Sequence, residues 1–391
     1  MPALRGVLHL CAAAQWTAAL TWDTSGAYAG LGDASNATTW ARVVAVDAWL
    51  RRGGPQPAHW AARGRGALGD GWAPLSNASA KTVWRTTLGG TSPVVVKALV
   101  DHARSYGSAH SRDHAREAHV TEIASEILYL ELCRGLPGVP ALHGGWLDAA
   151  GRPSYVVAAA GDRITTSPVG RYAALARSRP LDLAAALLEC FWSFSERGGF
   201  FLDDFALSQF AYAVGSDEAV GSDGAITVSL VDAPKILAPS PAYDLLSSFP
   251  RPHAIDAAPR PCAGGDACPI SHRSHCCCCE GGGGSPCAPP PCKAGSRGAP
   301  ESKGLCKKGL CAPLSSATHA FDVAARAWAL PFVTAASGRG KSRDARRATA
   351  FLKDLTRRLA AYDAASRPSL SDALGAVARF RRGDFSRPRA K

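Results

Sequence analysis

The chain has 391 residues, of which 47% are hydrophobic, and its formal net charge is +12 at pH 7. This length allows one large two-lobed domain or two ordinary domains with a sizeable core. The chain has no run of roughly 18 or more apolar residues, which excludes an ordinary membrane-spanning helix. Alanine, glycine, arginine and proline are heavily used, which indicates a coding bias. We therefore give the positive charge little weight and expect no nucleic-acid partner.

The N-terminus has features of a signal peptide over residues 1–14. Arg5 supplies the charged start, a short apolar core follows, and Ala12-Ala13-Ala14 resembles a cleavage site. Two sequons, Asn36-Ala37-Thr38 and Asn77-Ala78-Ser79, fit glycosylation on the secretory route. We expect a protein of the secretory pathway, in the lumen of the endoplasmic reticulum or Golgi or outside the cell. A cytoplasmic protein is the alternative.

Residues 15–74 carry no recognisable chemistry. They contain several tryptophans and a predicted helix over residues 39–52, and we interpret the region as an extension or a structural cap. A hairpin is predicted next, with strands over residues 82–87 and 93–99.

Lys97 follows the valine run of the second strand. Such a lysine usually caps an edge strand, but in the small lobe of a protein kinase it pairs the α- and β-phosphates of ATP. The glycines of a phosphate-covering loop are missing, because their positions, counted back from Val83, hold Ser76, Ala78 and Lys81. Lys81 could supply charge instead.

A helix is predicted over residues 112–134, where apolar residues recur at helical spacing. A kinase needs one glutamate on this helix to pair with the strand lysine. Glu126 is favoured because it lies 13 residues before Val139, and Val139 belongs to the predicted turn that enters the fourth strand. Glu122, one helical turn earlier, stays open, and either residue could instead be a solvated surface charge.

A second hairpin is predicted over residues 146–160 and an amphipathic helix over residues 180–197. The chain then reaches Asp204, Gln209 five positions later, a hairpin, and Asp232 directly after that hairpin. Protein kinases place a catalytic aspartate, a metal-binding amide and a magnesium-binding aspartate in this order. The alternative is that these acidic residues are solvated turn formers.

Residues 238–316 are rich in proline, glycine, serine and cysteine, and ten of the thirteen cysteines lie between Cys262 and Cys311. This composition cannot bury an ordinary apolar core, so the segment needs disulfides or metal, or it is disordered. We expect disulfides if the chain is secreted. We expect zinc, with His272 and His275 beside the cysteines, if it is cytosolic.

Four consecutive cysteines, residues 276–279, should pair outward rather than with one another, because adjacent side chains in an extended chain point apart. Five bridges within the cluster would leave Cys133 and Cys190 as ordinary buried thiols.

Three helices are predicted near the C-terminus, over residues 318–333, 342–365 and 370–380. Ser342 is the predicted N-cap of the second helix. Residues 381–391 form a basic tail that we expect to be disordered.

From about residue 75 to 380 the order of these features resembles a protein kinase. It is most similar to the divergent protein kinase domain family of the secretory pathway, also called family with sequence similarity sixty-nine. The matching features are Asp204 with Phe210-Ala211 before the hairpin, Val231-Asp232-Ala233 after it, the cysteine cluster beginning at Cys262, an Asp322-led helix, and Arg367-Pro368-Ser369.

The resemblance implies a two-lobed α+β, protein-kinase-like fold. The N-lobe would span residues 75–160 and the C-lobe residues 161–380, with the cysteine-rich insertion after the metal-binding aspartate. ATP and Mg²⁺ are the implied cofactors.

The implied site consists of Lys97 for the ATP phosphates, Glu126 as its partner, Asp204 as the catalytic aspartate, and Asp232 with Gln209 as metal ligands. Gln209 departs from the expected asparagine, and Leu202-Asp203 replaces the usual His-Arg. No Ala-Pro-Glu segment is found.

The resemblance implies an ATP- and Mg²⁺-dependent kinase that phosphorylates a hydroxyl on an unidentified protein or glycan. The alternative is a pseudokinase that serves as a secreted or lumenal binding module, as the missing glycines and Gln209 indicate. A third reading is a Cys/His zinc module that binds acidic partners through the basic tail.

Overall fold

A computed structural model describes residues 37–53, 55–77, 81–99, 109–198, 200–202, 206–215, 224–233, 236–237, 306–307, 310–311, 316–338, 342–361 and 366–383. The chain divides into two compact units. The first comprises residues 1–159, 197–200 and 233–254, and the second comprises residues 160–196, 201–232 and 255–391. Both helices and antiparallel strands are present, so the fold is mixed α+β, as predicted.

The strands and helices are listed here in chain order: α1 (Ala37–Arg52), β1 (Ala73–Asn77), β2 (Lys81–Leu88), β3 (Ser92–Leu99), α2 (Ala109–Leu132), β4 (Leu142–Leu147), β5 (Pro153–Ala158), β6 (Asp162–Arg163), α3 (Arg171–Ser178), α4 (Pro180–Trp192), β7 (Phe201–Leu202), β8 (Phe210–Val214), β9 (Ile226–Leu230), β10 (Ile236–Leu237), β11 (Cys306–Lys307), β12 (Leu310–Cys311), α5 (Ser316–Ala325), α6 (Leu330–Ser337), α7 (Arg343–Leu359) and α8 (Leu370–Arg381). Short 3₁₀ turns occupy Arg65–Ala67 and Leu207–Gln209, and a π-helical turn, Ser193–Arg197, follows α4. Among the helices of the described residues, none has the length and apolar character needed to cross a membrane.

The first unit is built on a five-stranded antiparallel sheet in the order β1-β2-β3-β5-β4. The turn between β2 and β3 contains Gly89 and Gly90, both at positive φ, where glycine is unstrained. One face of the sheet buries Val94, Val96 and Val156 in an apolar cluster. Helix α2 lies in the chain between β3 and β4, so the strand that carries Lys97 leads to the helix that carries Glu126.

Part of the predicted extension belongs to the core of the first unit. Trp49 of α1 packs edge-on against Trp60, with ring centroids 4.9 Å apart. Ala62 forms a parallel bridge to Gly144 of β4. Gly144 has φ 148°, and a Cβ there would lie 2.2 Å from the Ala62 carbonyl oxygen. A side chain at this position would therefore push the segment away from the sheet.

A buried carboxylate joins this segment to α2. Glu131 Oε1 accepts hydrogen bonds from Arg42 Nε, at 3.1 Å, and from Arg134 Nε, at 3.1 Å. It also lies 3.1 Å from His59 Nε2. Burial alone would raise the pKa of Glu131, but Arg134 and His59 outweigh burial and lower it. Because an unpaired buried charge costs several kcal/mol, these basic groups must stay in place while Glu131 is ionised.

The second unit is organised around α4, whose inward face is fully buried and apolar. Phe191 stacks on Phe210 of β8, with centroids 5.5 Å apart, and Phe210 packs against Trp328 at 4.7 Å. Strands β6, β8 and β9 form an antiparallel sheet beside α4, in the order β6-β8-β9. The β8–β9 hairpin is thereby anchored to the helix by ring contacts.

The predicted hairpins and most predicted helices are confirmed within a few residues, and Ser342 caps α7 by accepting a hydrogen bond from the Ala345 N–H at 3.0 Å. The single helix predicted over residues 318–333 is wrong. The chain leaves the helix after Ala325 and begins α6 at Leu330. Pro331 explains the break, because proline has no N–H to continue a helix but is well placed in a first turn.

Helix α7 also ends earlier than predicted, at Leu359 rather than near residue 365. Helix α3 was not predicted, because its eight residues make little more than two turns, which is too short for a clear apolar periodicity.

Candidate functional site

Lys97 and Glu126, predicted as partners, form a buried ion pair in the first unit. Lys97 Nζ donates to Glu126 Oε1 at 2.6 Å. The relative exposure is 5% for Lys97 and 1% for Glu126. Lys97 Nζ also lies 5.5 Å from the ring centroid of Tyr155, its neighbour in β5. The structure thus pairs Lys97 with Glu126, the glutamate that the sequence favoured over Glu122.

A second lysine binds the same carboxylate. Lys81 Nζ donates to Glu126 Oε2 at 2.7 Å, and Lys81 is only 4% exposed. In the β2–β3 register Val83 lies opposite Lys97. Lys81 is two residues before Val83, so it shares a face of the sheet with Val83 and Lys97. The two strands therefore direct both ammonium groups to one carboxylate, with one oxygen for each.

The charge of Glu126 depends on these lysines. Burial alone would raise the pKa of Glu126, but the positive charges of Lys81 and Lys97, and the hydrogen bonds from them, lower the pKa to about 2. Glu126 is therefore a carboxylate at neutral pH, and it can hold both lysines in position.

Asp204, the predicted catalytic aspartate, and Asp203 lie outside the described residues. The chain on each side of them is described. The Leu202 N–H donates to His319 Nε2 at 3.3 Å, and the Ala206 N–H donates to Gln209 Oε1 at 2.7 Å.

Gln209 and Asp232, the two predicted metal ligands, are joined through the main chain. The Gln209 carbonyl oxygen accepts the N–H of Val231 at 2.7 Å and the N–H of Asp232 at 3.3 Å. These hydrogen bonds hold the residue before β8 beside the residues after β9. The sequence prediction that a hairpin brings the two polar residues together is therefore consistent with the main-chain geometry.

The oxygen chemistry of this pair suits magnesium. Mg²⁺ prefers carboxylate and carbonyl oxygens, and Asp232 and Gln209 provide one of each. Gln209 Oε1 already accepts the Ala206 N–H, which leaves one of its two lone pairs for another partner. Asp232 is half-buried and could supply the charged ligand.

His319 was not singled out by the sequence analysis, because a lone histidine on a predicted helix carries no motif. It is fully buried on α5, and its ring packs against Phe194 with centroids 5.1 Å apart. Burial lowers the pKa of His319 to about 3, so the ring is neutral at pH 7. Because Nε2 accepts the Leu202 N–H, the proton of the neutral ring is on Nδ1. The ring holds the backbone two residues before Asp204.

We expect His319 to make stability fall as the pH falls. The pKa of His319 is about 3 in the folded state and about 6.5 when the ring is exposed to solvent in the unfolded state. Between pH 3 and pH 6.5 the unfolded chain therefore binds more protons than the folded one. The contribution is fully present above pH 6.5 and is lost as the pH falls toward 3. When the pH is lowered from 7 to 4, the unfolding free energy of the wild type should fall by about 3 kcal/mol more than that of His319→Gln. Urea unfolding at several pH values measures this difference, and parallel curves for the two proteins would contradict it.

Two further residues from the kinase resemblance take structural positions in the second unit. Asp322, one turn after His319, is completely buried, and its Oδ1 lies 3.6 Å from Arg326 Nε. Arg367 donates to the Ala361 carbonyl at 2.7 Å and to the Ala317 carbonyl at 2.8 Å. Arg367 therefore ties the start of α5 to the segment that follows α7.

The prediction that Cys133 and Cys190 are buried thiols is confirmed. Cys133 and Cys190 are free and buried, and burial raises the pKa of both thiols. Most of the cysteine cluster, with His272 and His275, lies outside the described residues. The exceptions are Cys306 and Cys311, whose backbones face each other in the β11–β12 pair. Within the described part of the chain, no three metal-binding side chains come together.

Neither a scan against protein-family models nor a search of curated proteins finds a match to this chain.

Proposed function

We propose that the chain is an ATP- and Mg²⁺-dependent phosphotransferase of the protein kinase type, which transfers the γ-phosphoryl group to a hydroxyl on a protein or a glycan. The observation that carries this proposal is the buried pair of Lys97 and Glu126 at 2.6 Å. Protein kinases position the ATP phosphates with a lysine on the third strand, which is held by a glutamate on the following helix.

The surroundings of the pair support the same proposal. Lys97 is on β3, Glu126 is on α2, and α2 precedes β4 in a five-stranded antiparallel sheet. Lys97 Nζ lies 2.6 Å from Glu126 Oε1, so the carboxylate holds the lysine side chain in a fixed position from which it could reach phosphate oxygens.

The remaining roles are assigned from the second unit. Asp232 and Gln209 would hold Mg²⁺, which neutralises charge on the β- and γ-phosphates when it is bound. Asp204 would accept the proton of the acceptor hydroxyl while the hydroxyl oxygen forms a bond to the γ-phosphorus. The bond between the γ-phosphorus and the β,γ-bridging oxygen would then break, and ADP would leave. Most of the rate enhancement would come from positioning and charge stabilisation rather than from covalent catalysis.

We further propose membership of the divergent kinase family of the secretory pathway, with the cysteine-rich insertion as a disulfide-bonded segment after Asp232. The order of Asp204, Gln209 and Asp232, with the cysteines after them, supports it. Localisation in the secretory pathway is part of the same proposal.

One observation favours a pseudokinase as the second candidate. Gln209 Oε1 is used by the Ala206 N–H, so the amide that would bind metal already has a structural hydrogen bond. A pseudokinase would keep the fold and act as a binding module in the lumen or outside the cell.

Thermal unfolding with and without Mg-ATP tests the proposal. A ligand that binds only the folded state stabilises it by RT ln(1 + [L]/Kd), about 2.7 kcal/mol at one hundred times Kd. We expect Mg-ATP to raise the unfolding temperature, and labelled phosphate to reach a hydroxyl in a library of Ser, Thr and Tyr peptides and glycans. A temperature shift without transfer would support the pseudokinase. No shift at millimolar Mg-ATP would contradict the kinase.

A further inference from the structure

Two ammonium groups share one buried carboxylate in the first unit, which is more than an ion pair between lysine and glutamate requires. Lys97 on β3 and Lys81 on β2 each take one oxygen of Glu126, at 2.6 and 2.7 Å. Lys97 alone would satisfy the charge of Glu126. The second lysine therefore needs an explanation beyond the stability of that pair.

Lys81 occupies a position that matters for phosphate binding. The hairpin segment ahead of Val83 lacks the glycines whose backbone N–H groups would otherwise approach phosphates, with Ser76 and Ala78 in two of the positions. Lys81 itself holds the third. An ammonium group has three donors, so a lysine can keep its bond to Glu126 and donate to phosphate oxygens as well.

We propose that Lys81 is a second phosphate-binding residue, which with Lys97 forms a two-lysine site for the polyphosphate of a nucleotide and replaces the missing glycine loop. The inference rests on the proposed function for the identity of the nucleotide. The binding of a polyphosphate anion by the two lysines can be measured independently of phosphoryl transfer.

The position of the site explains why a lysine can take over the task of backbone amides. Glu126 holds Lys81 from the adjacent helix, so the flexible side chain loses little further entropy when a phosphate binds. A lysine held in this way provides charge as well as a donor, and hydrogen bonds from charged donors to phosphate are about twice as strong as neutral ones.

The test compares Lys81→Met and Lys81→Arg with the wild-type chain. Lys81→Met leaves the Lys97–Glu126 pair neutral, so we expect it to fold, and circular dichroism with thermal unfolding checks this. Arg85→Met is the matched control, since Arg85 is a cation on the same strand, on the same face and four residues further on, but is exposed. Calorimetry measures the affinity of each protein for inorganic tripolyphosphate, Mg-ATP and adenosine.

We expect Lys81→Met to weaken tripolyphosphate and Mg-ATP binding by roughly tenfold to a hundredfold, the loss of one charged hydrogen bond. Adenosine binding should stay the same, Lys81→Arg should retain most of the affinity, and Arg85→Met should bind like the wild type. If Lys81→Met binds tripolyphosphate and Mg-ATP as tightly as the wild type, or if the wild type binds neither, the proposal is overturned.

Two results separate this inference from the proposed function. Tripolyphosphate binding that depends on Lys81, in a chain that transfers no phosphate, would sustain the two-lysine site and reject the kinase. Transfer that is unaffected by Lys81→Met at subsaturating Mg-ATP would sustain the kinase and reject the two-lysine site.

Discussion

Replacing Asp204 with alanine is expected to abolish phosphoryl transfer while leaving Mg-ATP binding nearly intact. The proposed role of Asp204 is to orient the acceptor hydroxyl and take its proton, and a positioned acid or base contributes roughly 10²–10⁴-fold to the rate. The proposal assigns binding of the ATP phosphates to other residues, so Asp204→Ala should bind the nucleotide as tightly as the wild type does. Transfer of labelled phosphate and calorimetric affinity for Mg-ATP measure the two effects separately.

Asp203→Ala is the matched control for this prediction. The two aspartates are adjacent, equally charged and follow the same strand, β7. Only Asp204 has the spacing of five residues to Gln209 that the kinase pattern requires. We expect Asp203→Ala to retain most of the activity. Full activity in Asp204→Ala, or equal losses in the two variants, would show that the catalytic aspartate has been assigned wrongly.

Replacing Glu126 with glutamine should cost both stability and activity. The change leaves the two buried ammonium groups of Lys81 and Lys97 facing a neutral amide, because both donate to this carboxylate in the folded chain. Breaking a buried ion pair by removing one partner typically costs 3–5 kcal/mol, a large part of the roughly 5–15 kcal/mol that stabilises a domain. Urea unfolding of Glu126→Gln measures the loss.

The activity of Glu126→Gln should fall as well, because Lys97 would no longer be held for the phosphates. Glu122→Gln is the control, since Glu122 lies one turn away on α2 and is only half-buried. A charge in that setting contributes about 1 kcal/mol or less. If Glu122→Gln reduces stability and transfer as much as Glu126→Gln, the assignment of the partner to Glu126 is mistaken.

The local sequence determined much of the secondary structure. The alternating and β-branched residues of the hairpins predicted β2, β3, β8 and β9, and the apolar periodicity of residues 112–134 predicted α2. The spacing from Glu126 to the following turn also favoured the correct partner for Lys97. These signals are local, because strand and helix periods depend on neighbouring residues only.

The long-range contacts within each of the two units were decided by tertiary structure. Lys81 donates a hydrogen bond to Glu126, which is 45 residues away in the sequence. His319 accepts one from the Leu202 N–H, which is 117 residues away in the sequence. The first contact needs the β2–β3 register and the docking of α2 on the sheet, and the second needs α5 to pack beside β7. No periodicity in the sequence predicts these two contacts, because the long-range partner of a side chain depends on how whole helices and strands pack. The sequence alone therefore predicted that Lys81 could supply positive charge, whereas only the fold showed that Lys81 pairs with Glu126.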